Sequence, residues 1–460
     1  MGILSSALVL SSAARAGTVY VSPGDSLQYL VNQYPAGTTF QLSAGVYRFQ
    51  SVVPKSYDQF IGEAGVVLSG AARLTSFSQS GSYWVAKVSV SPKTADPSMC
   101  DSAHPGCTLR EDLFFDSVPR RRVLSLSQVG AGRWYLDYNT GNVYMGDNPS
   151  GHVVEISLTR SAFSGSATGV VISLLTIEKY ASGMDEGAIH GRKGTGTPSQ
   201  HWTVKWNDIR LNHGMGLRIG DYMWVHHNKI YKNGQLGMGG TGKSVVVQSN
   251  EVWLNNLAGF AWNRAGGTKF VKCYNLKVQY NYVHHNNGPG LWTDIENDYV
   301  LYEHNHTTRN VIAGIFHEIS YHATIRYNYI ESDGADPRGS NLWWGAGILI
   351  NTSSNVAVYG NTVKDCLNGI GGVQAYRGTG SNGLPYLLQN LSVHDNSIAQ
   401  VTGTAAGIVR SWPLDNTVYS DWNNHFQNNT FNLTYSGYKY FYWLAEYWTL
   451  SQWDTYASLH

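Results

Sequence analysis

Two five-residue phrases stand 24 positions apart in this chain: Gly290-Leu-Trp-Thr-Asp294 and Gly314-Ile-Phe-His-Glu318. Each runs glycine, aliphatic, aromatic, any residue, carboxylate. Two carboxylates held roughly 5 Å apart cannot both ionise freely, so one keeps its proton to higher pH than usual. A carboxylic acid beside a carboxylate is the equipment for breaking a glycosidic bond. A gap of roughly 5–5.5 Å suits a retaining double displacement, and roughly 6.5–9.5 Å suits inversion, which must admit a water. The chemistry therefore depends on whether the fold brings Asp294 and Glu318 together, and how closely.

Repeats elsewhere in the chain bear on that question. Asparagine recurs in the same local phrase, after an apolar or aromatic strand, at Asn207, Asn228, Asn250, Asn281, Asn305, Asn328, Asn361, Asn396 and Asn429, with spacings of 21, 22, 31, 24, 23, 33, 35 and 33. A base period of 21–24 residues with insertions of about ten is that of a parallel β-helix, whose coils stack identical turns. Stacked asparagines at such a turn bond coil to coil. A glycine nine residues on, at Gly216, Gly237, Gly259, Gly290 and Gly314, marks a second register. Neither a leucine-rich repeat nor a propeller blade of about 40 residues fits this text.

In that register Asp294 and Glu318 each lie 13 residues after their asparagine, at the same place in adjacent coils. Adjacent strands stand about 4.7–4.9 Å apart, which predicts retention, with one carboxylate as nucleophile and the other as acid and then base. Alternation along a strand sends Leu291 and Ile315 inward and puts Trp292, Phe316, Asp294 and Glu318 on the outer face. The same offset places Asn263 before the pair and, allowing for an insertion, Asn351 after it. Trp292 and Phe316 are expected to offer apolar faces to a sugar ring, and His317, Asn263 and Asn351 hydrogen bonds. Trp262, Trp343, Trp344 and Arg377, with Arg410 and Trp412, are candidates for the cleft walls, supplied by the longer insertions.

The remaining segments must position this face. Residues 17–66 read as an N-terminal cap and first coils, with Leu27, Leu30 and Val31 on one side of a short helix. Residues 67–160 read as an inserted antiparallel β-subdomain, in which Arg133–Leu136 and Val143–Met145 flank an Asn/Gly turn. The β-helix with its catalytic face spans 161–411, and the aromatic-rich 412–460 closes the last coil. Residues 1–16 have the apolar run and Ala14-Arg-Ala16 end of a signal peptide, which points to a secreted or periplasmic protein. Cys100 and Cys107 flank a loop that one bridge can close. With 32 basic and 31 acidic side chains, a formal charge of +1 gives no pull toward nucleic acid or an anionic membrane, and no apolar run of 18 residues calls for a membrane span. The partner expected is a carbohydrate, met by a monomer.

The two carboxylate phrases resemble the catalytic motifs of the right-handed β-helix retaining β-xylosidases and their relatives. Ala36–Phe40, Ala44–Tyr47 and the inserted subdomain are similar to segments those proteins carry. The resemblance implies an all-β, right-handed parallel β-helix glycoside hydrolase with Asp294 as nucleophile and Glu318 as acid/base. Thr293, His317 and the Trp343-Trp344 pair need not match the xylosidases, so fold and mechanism transfer better than the sugar. No cofactor is called for, though stacked carboxylates are also ligands of the kind a structural calcium ion takes. Two other readings compete. A polysaccharide lyase on the same fold would need a base and a charge neutraliser, with His284, His285, Arg264 and Lys269 as candidates. A glycan-binding β-helix would keep the aromatics and make the carboxylates dispensable.

Overall fold

A computed structural model describes residues 16–191, 197–334 and 343–457. The expected leader lies outside these residues except for Ala16. Among the described residues three long sheets carry 13, 12 and 12 strands, and neighbours in each sheet are successive coils rather than successive strands. Pairing along all three is parallel apart from the final pair, Phe441–Trp443 with Glu446–Trp448. Each coil contributes one strand per sheet, and one continuous apolar core runs up the inside through Val225, Val278, Leu291, Ile315, Ile348 and their equivalents. The chain is thus a parallel β-helix.

The register is held by side-chain amides. Each of the first eight asparagines donates its Nδ2–H to the Oδ1 of the next, at 2.9–3.0 Å, from Asn207 through to Asn429. The residue just before each asparagine turns the corner in the left-handed region, as at Trp206, His227, Tyr280, His304 and Tyr327 with φ between 53° and 56°. That conformation costs a side chain about 1 kcal/mol, and the buried amide bonds offset it.

A second ladder, five residues further along each coil, runs through Asn212, Asn233, Asn255, Asn286 and Asn310 and ends on Asp333. Its signal is present in the sequence as an amide at a constant offset of five. The glycines pack against it: a Cβ on Gly216, Gly237, Gly267 or Gly290 would meet the Nδ2 of Asn233, Asn255, Asn286 or Asn310 at 2.7–2.9 Å. The third member of this column is therefore Gly267 and not Gly259. Gly259 belongs to an insertion, with φ of 75° and its missing Cβ replaced by the ring of His104.

At the N-terminus Thr18–Val21 already pairs with Thr39–Leu42 as a solenoid strand. Helix Leu27–Gln33, capped by Ser26, buries Leu27 and Val31 over the open end, with Leu30 partly covered. Residues 67–69, assigned above to the insertion, complete the solenoid strand Val66–Ser69, which pairs with Thr176–Glu178. The antiparallel strands run from Ala71–Leu74 to Val154–Ser157 around a separate core of Leu113, Phe115, Trp134 and Val143. At the other end, helix Leu450–Ala457 lays Trp453 on Phe426, Phe441 and Trp443.

Asp333 breaks the rule of the second ladder. Its Oδ1 accepts from Asn310 N–H and Nδ2–H, and its Oδ2 from the Thr307 hydroxyl, yet burial pushes its pKa up to about 7. The folded chain then holds a proton that the unfolded chain releases between pH 4 and 7, so stability falls as pH rises through that window. Asp333→Asn extends the amide ladder without a charge. The variant is expected to match the parent near pH 4 and to exceed it by roughly 2–4 kcal/mol at pH 8, as read from denaturant unfolding at both pH values.

Candidate active site

The two carboxylates sit at the ends of strands Leu291–Asp294 and Ile315–Glu318, which pair in perfect step: Leu291 with Ile315, Trp292 with Phe316, Thr293 with His317 and Asp294 with Glu318. Asn351, on Ala346–Asn351, follows next to Glu318. Adjacent strands lie about 4.7–4.9 Å apart. Each chain leaves its strand in an αL turn, at Ile295 and Ile319, and the carbonyls of the site residues are tied down there. Asn297 Nδ2–H donates to Asp294 O at 2.9 Å, Ser320 Oγ–H to Glu318 O at 2.7 Å and Ser353 Oγ–H to Asn351 O at 3.0 Å. Three coils thereby present three polar side chains from the same backbone frame.

Asp294 and Glu318 are only 6% and 7% exposed, and each has its own cation. Lys269 Nζ lies 2.8 Å from Asp294 Oδ2, and Arg377 Nη1 lies 2.7 Å from Glu318 Oε1. Glu318 Oε1 also accepts from Asn351 Nδ2 at 3.2 Å, while Asp294 Oδ1 is buried without a partner among the described residues. Burial raises the Glu318 pKa above the usual carboxylate value, and the Asp294 charge adds to that; Arg377 and Lys269 pull it back. A carboxyl group disposed to hold its proton thus stands beside Asp294, one oxygen of which is buried without a partner among the described residues.

Several expected contacts fall elsewhere. Asn263 is not in the column. It lies on the short 3-10 turn Trp262–Arg264, and Val271 stands in register with Asp294, because the insertion around 257–265 lengthens this coil beyond the constant offset. Asn263 still reaches the site through its backbone, whose carbonyl accepts from Lys269 Nζ at 2.8 Å. His317 shares the inward parity of Ile315 and points into the solenoid. Its Nε2 bonds Tyr321 O at 2.8 Å, its Nδ1 bonds Thr293 Oγ1 at 2.7 Å, and burial lowers its pKa to about 4. It therefore stays neutral as a strand-to-strand bolt, out of reach of a ligand.

Trp292 and Phe316 face outward and stack at 5.6 Å, but both are covered. Lys269 Nζ lies 3.7 Å from the Trp292 ring centroid, and Trp344 packs edge-on against Phe316. The aromatic edges left for a ligand are Trp262 and Trp344, which meet at 4.8 Å. Trp343 is buried over Gly371, where any Cβ would strike its ring. Of the residues weighed for lyase chemistry, His284 and His285 are on or beside a strand of a different sheet, and Lys269 is the one on the carboxylates. Its role was hidden in the sequence by the shifted register of its coil.

The inserted subdomain reaches this site through its disulfide loop. Cys100 and Cys107 are bonded. Ala261 N–H donates to Met99 O at 2.9 Å and Asp101 N–H to Gly259 O at 2.8 Å. His213 spans Asp112 and Cys107 O from the solenoid side. This clasp holds the segment that delivers Trp262 and the Asn263 carbonyl.

The family described as right handed beta helix region matches residues 195–363. The chain is a right-handed parallel β-helix. Among solved structures it is similar to a complex of XylC with xylose, with TM-score 0.69 and 15% identity over 90% of this chain and 82% of that one. It is also similar to the A-module of the Azotobacter vinelandii mannuronan C-5 epimerase AlgE4, with TM-score 0.53 and 12% identity over 89% and 91% of the two chains. No curated protein matches the chain. At these identities the likeness is one of fold.

If the clasp orders the loop, changing Cys100 and Cys107 together to serine should speed amide exchange across 257–265 by about ten-fold. Exchange across Asn281–Asn286, deep in the ladders, should not change. Exchange across 257–265 that is the same in parent and variant, followed by mass spectrometry, would show that the loop is held without the bridge.

Proposed function

We propose that the protein is a glycoside hydrolase that acts by a retaining double displacement, with Asp294 as nucleophile and Glu318 as acid and then base. The observation that carries this reading is the in-register pair of nearly buried carboxylates, one with its pKa raised and the other with an unpartnered oxygen. In the first step Asp294 Oδ1 attacks the anomeric carbon while Glu318 gives its proton to the departing glycosidic oxygen, leaving a glycosyl ester on Asp294. In the second, the Glu318 carboxylate takes a proton from water, the hydroxide attacks the same carbon from the opposite side, and Asp294 departs as carboxylate. Two inversions restore the starting configuration. Lys269 pairs with Asp294 and holds it in place, and Arg377 and Asn351 orient Glu318. Export from the cell and action on a plant or microbial oligo- or polysaccharide fit this chemistry. Xylose, by the resemblance of the two motifs and the likeness to XylC, is the first sugar to test.

A second reading has one specific observation behind it. Lys269 and Arg377 bring two positive charges against the carboxylates, and a lyase or epimerase also needs a cation beside a uronate. Both cations are already satisfied by Asp294 and Glu318, which favours hydrolysis.

The test is a panel of aryl glycosides and oligosaccharides with single variants. Asp294→Asn should abolish turnover, and Glu318→Gln should cost about 10²–10⁴-fold on substrates with poor leaving groups and less on activated aryl ones. Proton NMR should show the first-formed product in the anomeric configuration of the substrate. Full activity in both variants would sink the mechanism, an inverted product would sink the double displacement, and ultraviolet absorbance from an unsaturated uronate would move the protein to the lyases.

The pH profile is a separate check. Glycosidic cleavage needs protonated Glu318, so kcat/KM should fall as pH rises through its elevated pKa. Arg377→Met removes a cation that favours the ionised form, and the alkaline limb should then move to higher pH. A limb that stays in place would assign it to another group.

A further inference from the structure

Beyond Glu318, on the side away from Asp294, the outer face of the same sheet continues over three more strands, in the order Asn351, Val373, Val409. A cavity of about 370 Å³ opens there, lined among others by Trp343, Trp344, Asn351, Arg377 and Arg410. That volume falls within the ~300–1,000 Å³ of small-molecule sites. Two of its lining residues, Arg377 and Asn351, are partners of Glu318, so the cavity adjoins the carboxylate pair. Its described lining includes two arginines and no acid.

The two arginines differ. Arg377 is neutralised by Glu318. Among the described residues Arg410, at the end of strand Ala406–Arg410, has uncharged partners, with Nη1 3.4 Å from Pro413 O, Nη2 3.3 Å from Asn416 Oδ1 and the guanidinium 5.7 Å over the Tyr419 ring. Its Nε is buried with no hydrogen-bond partner among the described residues, and so is Trp343 Nε1. Asp415, whose ionisation Arg410 favours, is exposed and turns its Oδ1 to Thr417. Buried donors left unpaired are costly to a fold. Here two of them belong to residues lining a cavity that already carries a cation with no carboxylate on it.

We propose that this cavity is a leaving-group subsite for a sugar that bears a carboxylate, a uronic acid unit, with Arg410 binding the carboxylate and Trp344 flanking the ring. The placement rests on the proposed function: the acid Glu318 stands at the departing oxygen, so what lies beyond it receives the leaving group. The recognition does not, since an unneutralised guanidinium and free N–H donors select an anion whatever the reaction. The chain's near-zero net charge is no obstacle, because one carboxylate in a cavity needs one local cation rather than a long-range field.

The experiment pairs kinetics with binding. Two disaccharides with the same glycon, one released from glucose and the other from glucuronic acid, are compared by kcat/KM. The parent protein should prefer the acidic leaving group by about ten-fold or more. Arg410→Met should bring the ratio close to one, and Arg410→Lys should restore part of it. In parallel, sodium glucuronate and glucose are titrated against tryptophan fluorescence; glucuronate alone should perturb the signal, and Arg410→Met should abolish that response. A parent ratio near one, a ratio that survives Arg410→Met, or equal fluorescence responses to the two sugars would overturn the subsite. Glucuronate binding in a protein that hydrolyses no glycoside would leave the subsite standing and remove the hydrolase.

Discussion

The amide ladder at the coil corners is the interaction on which the rest of this structure depends. A parallel solenoid has no hairpins to set its register, and a slip of one residue would turn every side chain to the opposite face. Here each asparagine binds the next through both backbone and side chain. A shifted coil would strand buried donors and acceptors at the cost of several kcal/mol. With two such ladders per coil from Asn207 to Asn310, the strands between them have one alignment available. The stacking of Asp294 on Glu318 follows from it.

The site uses that rigidity to hold an arrangement that electrostatics opposes. Two carboxylates in register and out of water repel, and water cannot screen them. The strands that carry them are anchored to the ladders, to the Thr293–His317 bond on the inner side and to the Asn297 and Ser320 bonds at the turns. Lys269 and Arg377 then supply one positive charge each, from a strand of the preceding coil and from the loop after residue 374. The scaffold sets the separation, and the insertions set the charge and the cover. The aromatic wall is divided in the same way: Trp292 and Phe316 come from the scaffold and are buried by it, whereas Trp262 and Trp344 come from insertions and remain partly open.

Two of the places where sequence reasoning missed, Asn263 and Gly259, share a cause. Asn263 was assigned to the catalytic column by counting from Asn250, and the count failed because the insertion around 257–265 falls before the strand in that coil. Gly259 stood in for Gly267 for the same reason. A fixed offset holds only while no residues are added between marker and strand, and nothing local to the chain says on which side of a turn an insertion bulges. His317 is a different case. Its inward parity follows from the alternation that sent Ile315 inward, so its burial was legible; the pull of a histidine beside a glutamate outweighed it. The second ladder was legible too, as an asparagine five residues after the first.

The sequence by itself determined the solenoid, the two amide and glycine registers that define it, and the equivalence of Asp294 and Glu318 one coil apart, because these are properties of a period and a period is local. Only the tertiary structure decided that Lys269 and Arg377 pair with the carboxylates, that Trp344 covers Phe316, that the disulfide loop of a separate subdomain grips the segment carrying Trp262, and that Arg410 lines a cavity without a carboxylate partner among the described residues. Those contacts join segments from 25 to more than 100 residues apart through insertions of irregular length. Their meeting depends on how each loop folds back over the sheet, and no repeat in the chain encodes that.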